Sequence, residues 1–461
     1  MLSHDVLQAL TTALGPDRVF ADPETRALYS SDETPRQVMP GAVLFPASHD
    51  HVVALMRLAH AHKLPVVARG AGSGNVGGAL PVANGLVVSF ECMNRILEFD
   101  PLNRLMVVQP GVVTEDIGEL ARTQGLFYAP DPGSGAYSRI GGNLAMNAAG
   151  PHAVKYGVTR DHVLALKAVT GEGKTLVTGC RTSKGVTGYD FTRLLIGSEG
   201  TLALITEATL KLLPAPETVA TLRLCFASNR SACLAVERVM RQPVLPCALE
   251  IMDRRSIEAI RPTGTADDLP AGTEALLMVE VDGTQREVPH LVAALKSALN
   301  GGEGLLEIRE GVTREQAQAL WAARKSLSHA VKRYAPLKIN EDVVVPVSRL
   351  ADFIDYLDKL GNLYPFPIVS FGHAGNGNLH VNLMVHPDNT QEMAQAHECL
   401  LEMIRTVLAF GGTLSGEHGI GTEKRDYVGL EIQPDTLALM RAVKHQFDPM
   451  GILNPGKLFP D

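Results

Sequence analysis

Apolar residues recur along the chain at two spacings, and each spacing predicts a different secondary structure. Val53, Met56 and Ala59 fall on one helix face, which predicts a helix from Asp50 to Lys63. The segment Thr313–Arg333 carries its apolar residues in a single stripe and predicts a longer helix. The remaining predicted helices begin at 114 or span 228–241, 287–299 and 391–410.

Short aliphatic runs predict strands, and their surroundings change at the proline-rich joint Leu213-Pro-Ala-Pro-Glu217. Before the joint, strands alternate with glycine-rich loops; after it, they alternate with helices. The second pattern is typical of an α+β layer, a sheet with helices on one face. The predicted strands are 64–68, 85–90, 104–109, 219–226, 247–252, 275–281, 305–309 and 342–346.

One predicted hairpin carries candidate chemistry. Asn376-Gly377 lies between two apolar runs and favours a type I′ turn. With those two residues as the turn, His373 faces His380 at a Cβ separation of roughly 4.5–5.5 Å. Asn382 then shares their face. Two imidazoles and a carboxamide at one point suit a divalent metal.

The loop Ser415-Gly-Glu-His-Gly-Ile-Gly421 supplies a candidate third ligand. Its glycines allow the backbone to come close to another group, and Glu417 and His418 could serve as ligand and general base. The alternative is that all three histidines are ordinary surface or core residues. His-x6-His across an Asn-Gly turn, together with Glu-His in a glycine-rich loop, favours a site.

A glycine-rich loop follows the predicted strand 64–68. It contains Gly72-x-Gly74-x-x-Gly77, but the short, proline-containing stretch before the next strand leaves no room for the helix of a Rossmann unit. Successive N–H groups from Gly70 to Gly78 could instead cradle an anion, whereas the alternative is a flexible turn. Further glycine-rich segments at 131–135, 140–150 and 195–206 suggest one long ligand with a pyrophosphate, whereas the alternative for 131–150 is close packing of a helix on a strand.

Composition narrows the functional class. The chain has 461 residues and a formal charge of −8 without a basic cluster, so two or three domains are expected and nucleic acid is not an expected partner. No apolar run is long enough for a transmembrane segment, and the N-terminus lacks the pattern of a secretory signal. The six cysteines show no Cys-x-x-Cys pattern, which argues against an iron–sulfur cluster in this chain.

Several segments resemble the FAD-linked oxidoreductases of the vanillyl-alcohol-oxidase or p-cresol-methylhydroxylase type. They are Pro65–Gly74, Ile140–Gly150, Lys155-Tyr-Gly157 and Ile196–Leu202. The resemblance implies an α+β fold: a two-part FAD-binding domain at 1–215, an α+β substrate or cap domain at 216–412, and a segment at 413–461 that returns to the FAD domain and completes the active site. It also implies FAD, and because members of the family differ in covalent attachment and no motif here singles out a His or Tyr for it, non-covalent binding is expected. The implied FAD-binding residues are Arg69, Gly70, Gly72, Ser73, Gly74, Asn75, Gly77, Pro132, Gly133, Ser134, Gly141, Gly142, Asn143, Asn147, Gly150, Gly200, Ile205 and Asn454.

The motifs Gly372–His380, Ser415–Gly421 and Asn454-Pro-Gly-Lys457 narrow the resemblance to the D-2-hydroxyacid dehydrogenase branch, which includes D-lactate dehydrogenases and the flavin subunit of glycolate oxidase. The branch implies that His373, His380 and Glu417 hold zinc or manganese and that His418 is the catalytic base. Arg324 would pair with the substrate carboxylate as a catalytic and binding residue. The other implied substrate contacts are Ser328, Lys338 and Asn382.

The expected function is oxidation of a small D-2-hydroxyacid to the 2-oxo acid, and D-lactate is the preferred candidate substrate. The alternatives are a glycolate oxidase flavin subunit, a D-2-hydroxyglutarate dehydrogenase, or a non-catalytic metal- and flavin-binding subunit. Electrons would leave to an external acceptor: a quinone, a cytochrome, an electron-transfer flavoprotein or an iron–sulfur subunit. The expected location is the cytoplasm, including the membrane periphery, and a homodimer is left open.

Overall fold

The computed structural model describes residues 2–460, which form two compact units. The first unit comprises the chain up to Gly150, Gly157–Ala215 and the chain from Glu417 onward. The second comprises Pro151–Tyr156 and Pro216–Gly416.

The boundaries differ from the expected ones in two places. Residues 151–156 join the second unit, where Lys155 and Tyr156 both bind the carboxylate of Asp282. Residues 413–416 also belong to it, because Thr413 pairs with Val344 and Gly416 bonds to Asp342. The third expected segment therefore begins at Glu417 and not at Thr413.

The first unit contains a four-stranded sheet of order β1-β2-β4-β3 and a five-stranded antiparallel sheet of order β5-β6-β10-β8-β9. A two-stranded ladder joins β7 and β11. These strands are β1 (Val19–Phe20), β2 (Ala42–Leu44), β3 (Val66–Arg69), β4 (Leu86–Ser89), β5 (Ile96–Asp100), β6 (Leu105–Val108), β7 (Leu126–Phe127), β8 (Val163–Thr170), β9 (Thr175–Gly179), β10 (Ala203–Lys211) and β11 (Leu213–Pro214).

The loop after β3 forms a parallel crossover without a helix. β3 and β4 are parallel neighbours joined by the irregular residues 70–85. The prediction that no Rossmann helix follows the glycines is therefore confirmed. The spacing argument did not foresee that the two strands are nevertheless parallel.

Helices cover both sheets of the first unit. The helix predicted at 50–63 is present as His49–His62, where the Ser48 hydroxyl accepts from the His51 N–H and Val52, Leu55, Met56 and Ala59 are buried. The helices in this part of the chain are α1 (His4–Leu14), α2 (Pro23–Leu28), α3 (His49–His62), α4 (Thr114–Arg122), α5 (Ile140–Met146), α6 (Ala153–Tyr156, in the second unit) and α7 (Phe191–Leu195).

The second unit is built on one seven-stranded antiparallel sheet of order β15-β12-β14-β13-β17-β18-β16. Its strands are β12 (Thr218–Phe226), β13 (Ala248–Met252), β14 (Ala275–Gly283), β15 (Leu305–Gly311), β16 (Leu337–Val344), β17 (Ile368–Gly372) and β18 (Asn378–Val385). Its further helices are α8 (Asn229–Arg241), α9 (Arg254–Ile260), α10 (Val288–Leu299), α11 (Arg314–Ala330), α12 (Leu350–Leu363) and α13 (Thr390–Ala409).

Helices lie on both faces of this sheet, so the prediction of helices on one face is wrong. On one face, Leu320 and Leu327 of α11 pack in one core with Met278 of β14. Leu277 and Val279 point to the opposite face and are fully buried, and α8 and α10 lie against the same strands. Because β14 carries apolar residues on both faces, each face needs a layer of helices to cover it.

The predicted type I′ turn at Asn376-Gly377 is also wrong. Residues 374–376 form a 3₁₀ turn, and His380 lies opposite Phe371, not opposite His373. Asn378 sets this register, because its amide donates to Asp342 Oδ1 (2.7 Å) and to the Val343 carbonyl (3.0 Å) on β16. The shift is two residues, so His380 and Asn382 keep a common face and His373 lies just beyond the end of β17.

The final segment contains α14 (Val428–Glu431) and α15 (Pro434–Phe447) and ends beside β3. Leu453 forms a parallel bridge with Val66, and Ile452 and Leu453 are buried in the core below the four-stranded sheet. Among the described residues no helix has the length and apolar character needed to cross a bilayer.

Candidate active site

A cleft in the first unit lies at the ends of several strands. Arg69 and Gly70 form one wall, Gly141 and Gly142 of α5 form another, and the third is the turn at Ser198–Gly200 with the start of β10. The predicted FAD-binding residues that line this cleft are Arg69, Gly70, Gly141, Gly142, Gly200 and Ile205. Small residues this dense leave backbone groups exposed to a flat ligand.

The glycine-rich loop 70–78 turns its carbonyl oxygens toward the protein. The Gly74 carbonyl accepts from the Glu33 N–H (3.1 Å), the Val76 carbonyl from the Thr422 N–H (2.8 Å), and the Gly77 carbonyl from the Leu80 N–H (3.2 Å). Among the described residues, the backbone hydrogen bonds made by this loop use its carbonyl oxygens and not its N–H groups. This polarity suits an anion nest.

Asn454 contributes a buried polar atom near the same cleft. Its amide donates to the carbonyls of Gly78 (3.0 Å) and Glu199 (2.6 Å). Its Oδ1 is buried and, among the described atoms, has no hydrogen-bond partner. A buried acceptor without a partner is costly unless a ligand supplies a donor, so the predicted role of Asn454 toward FAD fits this position.

Other predicted FAD-binding residues do not line the cleft. The Asn143 amide donates to Thr114 Oγ1 (2.5 Å), and Asn147 Oδ1 accepts from the Arg160 N–H (3.0 Å). Gly150 lies against the Asp131 carbonyl, where a side chain would not fit. The remainder are in two loops: Gly72, Ser73, Gly74, Asn75 and Gly77 in the first, and Pro132, Gly133 and Ser134 in the second. Their roles stay predictions.

Gly142→Leu is expected to weaken FAD binding with little loss of fold stability. A Cβ added at Gly142 would meet no protein atom within 4 Å, so a longer side chain would extend into the cleft. FAD release on dilution, followed by flavin fluorescence, measures the effect. Gly118→Leu on α4 is the matched control, since its Cβ would meet only the end of Arg122. Equal FAD affinity in the two variants would contradict the cleft assignment.

His418 lies in a loop that packs on the glycine-rich loop. The Asn75 amide is 3.4 Å from His418 Nδ1, and Glu417 Oε1 is 4.0 Å from His418 Nε2. Gly421 must be glycine, because its φ is 52° and a Cβ there would strike the Val76 carbonyl. Gly421 therefore allows the backbone of this loop to pack closely on the backbone at Val76.

Glu199 holds this loop and was missed by sequence reasoning. Its buried carboxylate accepts from the N–H groups of Ile420 and Gly421, both at 2.7 Å. Burial raises the pKa of Glu199, and the two backbone bonds only partly offset that effect. In the sequence, the available signal was a single carboxylate inside the glycine-rich segment Gly197-Ser-Glu-Gly200, and in the structure its φ of 54° is unusual for a residue other than glycine.

Glu199→Gln is expected to lower the free energy of unfolding of the first unit by about 1–3 kcal/mol, because one buried N–H loses its acceptor. Urea denaturation measures the change. Glu207→Gln is the control, since Glu207 pairs with Lys167 in a partly exposed position. An unchanged midpoint in Glu199→Gln would argue against an anchoring role.

In the second unit, two predicted ligands lie close together. The rings of His373 and His380 are perpendicular, with centroids 5.3 Å apart, and both residues are buried. His373 follows β17 directly, and His380 is the third residue of β18. The structure therefore brings the two imidazoles together despite the corrected register.

Glu250 was also missed, although it contacts two predicted site residues. Its carboxylate on β13 binds His373 Nδ1 through Oε1 and Arg324 Nε through Oε2, the latter at 2.9 Å. Burial alone would raise the pKa of Glu250, but its contacts with His373 and Arg324 outweigh burial and hold that pKa well below its ordinary value. The Arg324 guanidinium also lies over the Phe371 ring, 4.8 Å from its centroid.

Asp342 is a third residue that sequence reasoning did not single out. It lies opposite His380 in the ladder between β16 and β18 and is fully buried. Its carboxylate accepts from Ser415 Oγ (2.9 Å) and from the Gly416 N–H (2.9 Å). It thereby fixes the chain immediately before Glu417.

The predicted substrate residues differ in their surroundings. Asn382 is fully buried and donates to the Val369 and His380 carbonyls while it accepts from Asn340. Lys338 is half-buried on β16; burial and the neighbouring Lys332 lower its pKa. Ser328 is exposed on α11, one turn beyond Arg324. No observation assigns them a ligand, so their roles stay predictions.

Two family models match successive parts of the chain. A family model described as "FAD binding domain" matches residues 40–179, and one described as "FAD linked oxidases, C-terminal domain" matches residues 215–458.

Three curated proteins match nearly the whole chain. A glycolate oxidase subunit GlcD of Bacillus subtilis is 37% identical over 100% of this chain and 97% of its own length. A D-lactate dehydrogenase of Anaerostipes hadrus is 34% identical over 96% of this chain and 95% of its own. A D-2-hydroxyglutarate dehydrogenase of Stutzerimonas stutzeri is 34% identical over 100% of both chains.

Two solved structures share the fold at low sequence identity. p-Cresol methylhydroxylase with substrate bound superposes with a TM-score of 0.81 at 16% identity, covering 98% of this chain and 96% of that chain. Alkyldihydroxyacetonephosphate synthase superposes with a TM-score of 0.76 at 19% identity, covering 99% and 86%.

Proposed function

This chain belongs to the family of FAD-linked oxidases, and we propose that it oxidises a small D-2-hydroxyacid, D-lactate first, to the 2-oxo acid. The observation that carries the proposal is the paired imidazoles of His373 and His380, backed by the Glu250 carboxylate, in a chain that also has an FAD-binding domain. Electrons would pass to an external acceptor.

FAD fits the first unit. The cleft lined by Gly70, Gly142 and Gly200 would receive it, the loop 70–78 would face its pyrophosphate, and Asn454 Oδ1 would gain a donor. When bound, FAD supplies a two-electron acceptor for the hydrogen on the substrate α-carbon. The residues named here hold and orient it and do not take part in electron transfer.

A divalent metal, zinc or manganese, fits the donor set. His373 and His380 offer neutral imidazole nitrogens, and the Glu250 carboxylate behind His373 is the arrangement typical of a ligating histidine. Glu417 is the proposed third ligand. Because Gly416 is held by Asp342 opposite His380, chain connectivity fixes where Glu417 begins. Such a metal would lower the pKa of a substrate hydroxyl.

The protein's own groups would then perform the acid–base and binding steps. His418 takes the proton of the 2-hydroxyl as general base, with Asn75 beside its ring. Arg324 pairs with the substrate carboxylate, because Glu250 engages only its Nε and the two Nη groups form a fork. Ser328 and Asn382 would border the substrate.

Two substrate alternatives rest on specific observations. Glycolate is favoured by sequence identity: the chain is 37% identical to the glycolate oxidase subunit and 34% identical to the D-lactate dehydrogenase. D-2-Hydroxyglutarate is favoured by Lys338, which lies on the strand paired with that of His380, since a second cation would suit a second carboxylate. A non-catalytic binding subunit remains the alternative from another class.

Anaerobic titration of the purified flavoprotein tests the proposal. D-Lactate, L-lactate, glycolate and D-2-hydroxyglutarate are added separately while flavin absorbance is followed. We expect bleaching by a D-2-hydroxyacid and none by L-lactate. If glycolate or D-2-hydroxyglutarate bleaches the flavin and D-lactate does not, that acid would replace D-lactate as the proposed substrate. A protein that purifies without flavin would favour the binding subunit.

A further inference from the structure

Glu250 divides its two carboxylate oxygens between two functional groups. Oε1 binds Nδ1 of His373, and Oε2 binds Nε of Arg324 at 2.9 Å. The carboxylate is fully buried in the strand Ala248–Met252, all of whose residues are buried. A charged group in such a strand needs partners, and these two partners lie far away along the chain.

We infer that Glu250 is a positioning residue that sets the metal-binding form of His373 and the direction of Arg324 together. With the Nδ1 proton donated to Oε1, the lone pair of His373 lies on Nε2, which is then the nitrogen available to a metal. The inference rests on the proposed function, because it assigns His373 as a ligand.

Arg324 is fixed in the same way. Its Nε is bound to Glu250, and the plane of its guanidinium lies over Phe371, whose strand neighbour is Met252 on β13. Glu250 and Phe371 thus hold the guanidinium from two sides and leave its two Nη groups for a carboxylate. One carboxylate therefore sets the spacing between the metal ligand and the substrate-binding cation.

Fold stability alone does not account for this arrangement. A buried ion pair is a weak stabiliser compared with apolar residues of similar size, and the neighbours of Glu250 on this face, Met252 and Met278, are apolar. Apolar residues in place of the whole Glu250–His373–Arg324 cluster would complete that core.

Glutamine cannot replace Glu250 in both contacts. If its amide NH₂ faces His373, Nδ1 must accept and the ring proton moves to Nε2, which then cannot bind metal. If the NH₂ faces Arg324, two donors oppose each other. Glu250→Gln must therefore disturb either the ligand or the cation.

The first test measures zinc affinity of the FAD-loaded protein by competition with a chromophoric chelator. Glu250→Gln is expected to bind zinc about 10–100-fold more weakly than the wild type. Glu280→Gln is the matched control, because Glu280 lies on the same sheet face and accepts from Trp321 Nε1 (2.6 Å) of the same helix α11. Its recorded contacts do not include His373, so its zinc affinity should be unchanged.

The outcomes separate this inference from the proposed function. Wild-type zinc affinity in Glu250→Gln would overturn the positioning role and leave the metal site standing. A wild-type protein that takes up no zinc would overturn both. Parallel losses in Glu250→Gln and Glu280→Gln would indicate a general weakening of the fold and would also overturn it.

A second measurement needs no substitution at Glu250. In the zinc-loaded wild-type protein labelled with ¹⁵N-histidine, the ring nitrogens of His373 report which one carries the proton, with His373→Gln used for assignment. We expect a protonated Nδ1 and a metal-bound Nε2. A protonated Nε2 would overturn the inference.

Discussion

Replacing His418 by alanine is expected to slow flavin reduction by the 2-hydroxyacid by about 10²–10⁴-fold, the usual contribution of a general base. The proposed metal ligands are untouched, and the FAD cleft is lined by other residues, so both cofactors should stay bound. Stopped-flow absorbance under anaerobic conditions measures the rate, and flavin content and elemental analysis measure the cofactors.

His397→Ala is the control for His418→Ala. His397 is exposed on α13 and bonds only to the Met393 carbonyl one turn earlier among its recorded contacts. Its substitution should leave the rate unchanged. Unaltered flavin reduction in His418→Ala would refute the base assignment, whereas loss of flavin would point to a structural role for the loop.

Replacing His380 by alanine is expected to remove the bound metal and with it nearly all oxidation of the substrate. Only three ligands are proposed, and the loss of one leaves His373 and Glu417. Elemental analysis of the purified variant is the measurement. His386→Ala is the control, since His386 lies one residue beyond β18, is largely exposed and bonds to Glu392. Full metal occupancy in His380→Ala would refute the ligand assignment.

The fold class and the main helices and strands could be predicted from the sequence, because their signals are local. The predicted helix 228–241 is present as Asn229–Arg241 and the predicted helix 287–299 as Val288–Leu299. The two-domain FAD-binding fold is confirmed by the matching family models and by the likeness to p-cresol methylhydroxylase. The start of β16 at Leu337 was missed, because Lys338, Asn340 and Asp342 interrupt the apolar pattern.

The residues that organise the site lacked a local signal. Glu250 is 74 positions from Arg324 and 123 from His373, and they meet because β13 pairs with β17 and packs against helix α11. A single carboxylate in an otherwise apolar strand was the available hint, because such a group must find partners. Asp342 gave the same hint at the start of the run Val343–Val345.

The hairpin shows why a strong local preference can lose. Asn-Gly favours a two-residue turn, but the contacts of Asn378 with Asp342 and Val343 are tertiary and fix where β18 begins. The longer loop is closed by the His373 carbonyl, which accepts from the N–H groups of Asn376 (3.0 Å) and Asn378 (3.1 Å). The alternation of strand faces was kept, and so the two imidazoles lie close together although they are not opposite each other in the ladder.

The order in which the two units occur along the chain has a consequence for biosynthesis. The long part of the second unit, Pro216–Gly416, leaves the ribosome before the last part of the first unit has been made. The first unit then lacks Leu453 beside Val66 and Asn454 beside Gly78, which complete its core and its cleft. At a translation rate of about 5–20 residues per second the chain waits seconds for them. FAD is therefore expected to enter only after Asn454 has been made, and a stop codon placed before Leu453 would yield a protein without flavin.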